Sequence, residues 1–546
     1  MRLLHRRCPM IITIQIHTDR TARSSISPSI RFHQRSRIIM ENQEYTVFPE
    51  DFKFGAATSS HQIEGGWNEG GKGENVWDHL THTKPESVIG KHNGDIACDS
   101  YHKYKEDIKC AKDLGVDCYR FSISWSRVLP TGFANKINPD GIRYYNELID
   151  GLLAEGIEPA VTMFHWDLPQ PLQNLGGWMN PAMVDYFEDY ARVLYENFGD
   201  RVKTWFTINE PWVISEVAYG YGALAPAVKS PGVGIYLCGE NLLKAHAKAY
   251  RLYDEVFRSE QRGRVTLVIH WLGMIPVTDS PRDLALAEKA KQFKFGWFAH
   301  PVFSEKGDYP QIMKESIAKK SAQQGFPRSR LPELGDYWVN FIRGTADFIA
   351  INTYSSFYAC PLSPDEEESG LSWCNDIGAR LENEGRGWPD STCYWLKENP
   401  VEFGNMFRWI RKEYGDREIV ITENGWADSG STHLDDYERI RYTHRYLKEL
   451  LTAIHRDKIR VTGYFHWSLI DNFEWLTGYT SRMGLHRVDF DHPDRPRMIK
   501  ASGRYYKELI RARKLPENVN EEVFARDKRY CSKTYDVDRK ETILFA

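Results

Sequence analysis

The chain has 546 residues, a formal net charge of −4 and an aromatic content of 13%, with 17 Trp and 29 Tyr. It carries no basic field of the kind nucleic acid requires, and no apolar run approaches the ~20 residues that span a membrane. Its 9 Cys are scattered without C-x-x-C pairs or histidines at zinc spacing, so no metal centre is expected, although Cys360, Cys374 and Cys393 share one loop and could pair there.

Residues 1–39 stand apart from the rest. They are rich in Arg and Ser and hold one acid, Asp19. As a signal peptide the stretch is poor, because the apolar run Met10–Ile14 is short and Gln15 and His17 interrupt it. The Arg/Ser bias with few acids resembles a mitochondrial transit peptide. Domain-like sequence starts straight after Met40, which favours a start there and an extension that takes no part in the fold. No N-x-S/T acceptor occurs, which suits a reduced compartment. The cytoplasm is therefore expected, with secretion or mitochondrial import as alternatives.

From Phe48 the chain alternates strand-like runs with amphipathic stretches. Strands are expected at Phe52–Ser60, Cys118–Ser124, Ile157–Trp166, Val202–Pro211, Arg264–Trp271, Asp347–Tyr354, Ile419–Gly425 and Val461–Leu469. Helices are expected at His102–Leu114, Asp140–Glu155, Pro181–Phe198 (capped by Asn180), Glu240–Phe257, Ala285–Phe298, Phe403–Tyr414, Asp435–His455 and Ile499–Arg513. Alternating βα units imply a parallel sheet, and eight of them imply closure into a (β/α)8 barrel. That assigns residues 48–513 to one α/β domain and 514–546 to a tail. The segment Cys360–Glu398 is a long, turn-rich, acidic loop with Trp373, Trp388 and Trp395, read as a rim over the site.

Polar residues end the strands. Gln62, Arg120, His165, Asn209, Glu210, Asn352, Tyr354, Glu423, Trp467 and Glu474 all lie at or just past a carboxyl end, where barrels build active sites. Ile419-Val420-Ile421-Thr422-Glu423-Asn424-Gly425 is an unbroken apolar run that meets a carboxylate, an amide and a glycine. The glycine is read as a free turn. Thr204-Trp205-Phe206-Thr207-Ile208-Asn209-Glu210-Pro211 repeats the design. Two carboxylates at the ends of two buried strands are the equipment of glycoside hydrolysis, one as acid and then base, the other as nucleophile or as base for water. Taken singly, either reads as a surface glutamate.

Three stretches in order resemble glycoside hydrolase family 1, the β-glucosidase family, with insect members nearest in texture. They are Phe52-Lys53-Phe54-Gly55-Ala56-Ala57-Thr58-Ser59-Ser60-His61-Gln62-Ile63-Glu64-Gly65, Thr207-Ile208-Asn209-Glu210-Pro211 and Ile421-Thr422-Glu423-Asn424-Gly425. The resemblance implies a retaining β-glycosidase without cofactor or metal, acting on a small-molecule β-glycoside, with neither nucleic acid nor membrane as partner and with room for a homodimer. It implies Glu423 as nucleophile, Glu210 as acid/base, and Arg120 and Tyr354 as supports of Glu423. It implies substrate contacts from Gln62, His165, Asn209, Asn352, Tyr354, Trp467, Glu474 and Trp475, with Trp212 on the aglycone side. Each has a plainer reading: Arg120 as a barrel ion pair, His165 and the tryptophans as packing. One departure is Met483, in Gly478-Tyr479-Thr480-Ser481-Arg482-Met483-Gly484, where the family has an aromatic; it leaves glucose against galactose or fucose open.

A glucosidase of broad aryl- and alkyl-glucoside range leads. A thioglucosidase would want a cation near the entrance, and Trp212–Tyr221 offers Glu216 and no base. A non-catalytic sugar binder would be expected to have lost a carboxylate. A transglycosylase would share the same intermediate.

Overall fold

The apolar runs become strands because their side chains are buried on both faces of one sheet. Lys53–Ala57 (β1), Cys118–Ser122 (β2), Glu158–Phe164 (β3), Thr204–Asn209 (β4), Arg264–Pro276 (β5) and Ile349–Pro361 (β6) are followed by Ala379–Glu382 (β7), Ile419–Asn424 (β8) and Val461–Trp467 (β9). Of the 9 strands in this sheet, only β7 runs antiparallel, against β6. The others are parallel; β1 pairs with both β2 and β9, and β5 pairs with β6, so the sheet closes into a (β/α)8 barrel. The computed structural model describes residues 45–367, 370–429 and 434–516. The extension 1–39 lies outside them, as does the tail beyond residue 516.

Helices surround the barrel where an apolar stripe recurs at helical spacing. Pro139–Ala154 is typical. Asn138 accepts from the Asp140 amide, Pro139 fills the first position, and Tyr144, Tyr145, Leu148, Ile149 and Leu152 form the buried face. Each such side chain contributes about 1.5–3 kcal/mol by leaving water. Ser100–Leu114 ends on Gly115 at φ 76, a left-handed cap that glycine adopts without strain.

Several boundaries differ from expectation. The helix expected from Pro181 starts at Met183, because Asn180 caps the preceding turn by accepting from the Ala182 amide at 3.0 Å. The helix expected over Ala285–Phe298 starts earlier, at Pro281, where Ser280 caps it, and passes through a π turn at Gln292–Gly296 into Trp297–Phe303. Strands β5 and β6 outrun their predicted ends and pair with each other beyond the barrel, from Gly273 opposite Ser356 to Pro276 opposite Ala359. The long loop therefore begins inside a strand and contains β7. Its tryptophans do not form a common rim. Trp373 is fully buried against Trp212, and Trp388 stacks on Tyr358. Cys360, Cys374 and Cys393 are unpaired buried thiols.

Gly425 ends β8 for a different reason from the one read in the sequence. Its φ is not positive. A Cβ there would meet the Trp467 carbonyl oxygen at 1.9 Å. The glycine lets the ends of β8 and β9 touch. Gly425→Ala is expected to push them apart and to destabilise the protein by about 1–3 kcal/mol, as overpacking does, read from the urea unfolding midpoint. An unchanged midpoint would show that the carbonyl yields freely.

Candidate active site

Strand register brings the polar ends together. Ala57 is level with Arg120 on one side and Trp467 on the other, and Asn352 is level with Glu423. The register shifts between Phe206 and Asn209, between Ile351 and Asn352, and between Ile421 and Asn424. Such irregularities re-aim side chains, and these three flank Asn209, Asn352 and Glu423; two others fall between Ile419 and Val420 and between Trp271 and Gly273. Glu210 directly follows β4 at φ 53, and Trp166 and Trp475 also have positive φ, at 74 and 47. Each costs about 1–3 kcal/mol and persists only because its surroundings over-determine it.

The two carboxyls are held differently. Arg120 donates to Oε1 of Glu423 at 2.5 Å, and the Tyr354 hydroxyl donates to Oε2 at 2.7 Å. Arg120 is fully buried and spends its other donors on Asn209 Oδ1 at 2.7 Å, Thr162 at 3.0 Å and the Thr422 carbonyl at 3.2 Å. Glu210 receives the Asn352 amide at 2.7 Å, and that amide is aimed by Thr422, which donates to its oxygen at 2.7 Å. The other oxygen of Glu210 lies 3.6 Å from Nδ1 of His270. Burial, then the charge of Glu423, push the Glu210 carboxyl up to about 8. Burial raises Glu423 as well, but Arg120 and Tyr354 oppose it. One proton shared by this pair therefore resides on Glu210.

The carboxyls open into a cavity of ≈ 150 Å³. Its wall carries His165, Glu423, Trp467, Glu474 and Trp475. Two buried atoms there have no partner, Nδ1 of His165 and Oε2 of Glu474. Unmet polar atoms in a wall are slots for a polar guest. Asn209 donates to Nε2 of His165 at 3.1 Å, so the ring carries its proton on Nδ1. Trp212 and His270 of the same wall also leave Nε1 and Nε2 without a partner. Leu272 from β5, Phe357 from β6 and Leu381 from β7 face Trp212, Val213 and Val217.

Of the residues singled out in the sequence, Glu210, Glu423, His165, Tyr354, Trp467, Glu474, Trp475, Trp212 and Met483 reach the cavity wall. Trp395 also lines it, alone among the loop tryptophans. Arg120, Asn209 and Asn352 stand behind, fully buried. Gln62 is behind too. Its amide is spent on Asn472 and the Phe473 carbonyl, and its oxygen accepts from Ser59. Sequence reasoning missed His270, although it ends the apolar run Val268-Ile269 as the other site residues end theirs. It also missed Lys294, whose Nζ lies over the Trp212 ring at 2.8 Å. A lysine in a helical stretch reads as solvent-facing, yet Phe293, Lys294, Phe295 and Gly296 of the π turn are all buried.

Comparison with known proteins follows the same lines. The family model described as "Glycosyl hydrolase family 1" matches residues 44–515. The chain is 47% identical over 468 residues to "Myrosinase 1" of Brevicoryne brassicae, covering 85% of this chain and 98% of that protein. It is 42% identical over 469 residues to the "Cytosolic beta-glucosidase" of Homo sapiens, with coverage of 85% and 98%. Among solved structures, a mutant rice β-glucosidase in a covalent complex with Glc matches with a TM-score of 0.79 at 35% identity, over 85% of this chain and 98% of that one.

The protonation of Glu210 is open to direct measurement. Carbon-13 NMR of protein labelled at its Glu carboxyls should show a group titrating at about 8 that vanishes in Glu210→Gln. A Glu210 signal titrating in the ordinary carboxylate range would contradict the electrostatic account.

Proposed function

The chain belongs to glycosyl hydrolase family 1, and we propose that it is a retaining β-glycosidase that frees terminal β-D-glucosyl residues from apolar aglycones. The observation that carries this reading is the unequal treatment of the two carboxyls. Glu423 is gripped by a guanidinium and a phenol, which favour the ionised form. Glu210 has an amide partner and keeps its proton.

The chemistry follows in two displacements. Glu423 attacks the anomeric carbon while Glu210 gives its proton to the leaving oxygen. The C–O bond breaks and a glycosyl ester forms on Glu423. That ester carries no charge, so the repulsion that kept Glu210 protonated is gone. Glu210, now a carboxylate, takes a proton from water as the water oxygen attacks the same carbon, and the ester C–O bond breaks to return Glu423 as a carboxylate. Two inversions return the β configuration. The sugar sits against His165, Trp467 and Glu474, where unmet polar atoms await hydroxyls. Asn209, turned toward His165, is the residue assigned to the sugar 2-hydroxyl. Met483 in the wall bears on the choice among glucose, galactose and fucose.

The apolar side chains Leu272, Phe357, Leu381, Val213 and Val217 in the wall support aryl and alkyl aglycones. Lys and Arg are absent from the wall among the described residues, which favours O-glucosides over sulfated thioglucosides despite the similarity to a myrosinase. Retention of both carboxyls favours catalysis over sugar binding alone. A cytoplasmic setting is supported by the cytosolic relative and by cysteines that, among the described residues, are all unpaired.

Three measurements test the reading. A 2-deoxy-2-fluoroglucoside inactivator should label Glu423, and Glu423→Gln should stay folded without turnover; a label elsewhere sinks the nucleophile. Glu210→Ala should slow alkyl glucosides by about 10²–10⁴-fold and activated aryl glucosides far less in glycosylation, because acid assistance matters least when the leaving group departs readily. Equal losses would deny Glu210 the acid role. In a proton NMR time course the β-anomer should appear first, and the α-anomer first would mean an inverting site.

A further inference from the structure

Lys294 is buried where the reaction scheme gives it no task. It is 1% exposed, and the π turn Gln292–Gly296 directs it at the end of the barrel. Its Nζ is 2.8 Å from the centroid of the Trp212 ring and 3.4 Å from Nδ1 of His270. That same Nδ1 is 3.6 Å from Oε2 of Glu210. Trp212 follows Glu210 in the chain with only Pro211 between. The lysine thus touches both rings that flank the acid/base. Among the described residues no carboxylate lies within ion-pair distance of it. A buried amine on an aromatic face, beside a carboxyl that must carry charge for part of each turnover, is placed to feel that charge.

Every charged or titratable group around it belongs to the site or its rear wall. Glu210 faces it from the end of β4, Glu216 from the helical turns Val213–Tyr221, and His270 from β5. Glu423 of β8 and Arg120 of β2 stand beyond Glu210. Burial drives the amine well below the ordinary lysine range, and the charges of Glu210 and Glu216 oppose that, so its proton is held most firmly while Glu210 is a carboxylate. In turn the lysine favours the ionised form of Glu210. Burial, then the charge of Lys294, keep the His270 ring neutral; with the ammonium as donor to Nδ1 the ring proton is on Nε2, an atom with no hydrogen-bond partner.

We propose that the Lys294 ammonium is a positioning group for the acid/base: it grips the two rings beside Glu210 and stabilises the Glu210 carboxylate after its proton has gone to the leaving oxygen. This rests on Glu210 as the acid/base. The stabilisation matters in the second displacement, when the carboxylate must persist until water yields it a proton. It also sets the upper edge of the working pH range in the free enzyme. A cation beside Glu210 makes its proton easier to lose, so the acid form fades at lower pH than it would without the lysine.

The test is Lys294→Met in the full-length protein, a side chain of similar length without charge. The pH profile of kcat/KM on p-nitrophenyl β-glucoside is taken beside wild type. Loss of the cation should move the basic limb upward by about half a pH unit or more, and leave the acid limb, set by Glu423, in place. Turnover of a dinitrophenyl glucoside, limited by the second displacement, should fall several-fold and recover with azide, a nucleophile that needs no base. A basic limb at the wild-type position, or one moved downward, overturns the proposal. Should the methionine variant fail to fold, Lys294→Gln keeps a donor to His270 without the charge and is read the same way. A wild-type profile with no basic limb overturns Glu210 as acid and the lysine's role with it; a wild-type limb that the variant leaves unmoved overturns the lysine's role alone.

Discussion

The site depends on one buried cation. Arg120 has no exposed surface, and a bare guanidinium in such a place would cost many kcal/mol. It is tolerated because four acceptors surround it: Glu423, Asn209, Thr162 and the Thr422 carbonyl. Those acceptors come from three different strands and their ends. The barrel must therefore close in register for the charge to be satisfied, and the charge in turn holds the ends of β2, β3, β4 and β8 in register. Catalytic preorganisation and barrel closure draw on the same hydrogen bonds.

This coupling bears on what could be read from the sequence. The barrel was legible because its strands are apolar runs and its helices amphipathic, and both signals are local. The carboxyls were legible because a charge that ends an apolar run has few harmless places to go. Less legible was anything set by pairing between distant segments. Nothing in Leu272–Pro276 or Ser355–Pro361 announces that the two will pair beyond the barrel. Gly425 looked like a turn and is a contact with the Trp467 carbonyl. Gln62, at a strand end like the others, spends its amide on the Asn472 and Phe473 loop instead of facing the cavity. Lys294 was invisible, since a lysine in a helical stretch gives no local sign that its whole turn is buried.

Backbone strain marks the same region. Glu210, Trp166 and Trp475 each hold left-handed backbone that a side chain resists. His165 and Trp475 stack on one another, Trp166 packs on Trp475, and the Trp166 indole donates to the Asn209 carbonyl at 3.0 Å. The aromatic wall and the strained peptide before Pro211 thus brace each other. Stability spent here returns as a carboxyl that cannot swing away from the cavity.

The ribbon formed by the ends of β5 and β6 with β7 has a consequence for how such a protein can change over generations. It supplies Leu272, Phe357 and Leu381 to the cavity wall, yet its hydrogen bonds lie outside the ring that closes the barrel. A substitution on the ribbon alters the guest's surroundings without touching Arg120 or either carboxyl. Three side chains of the cavity wall can therefore vary while the hydrogen bonds that close the barrel are inherited unchanged.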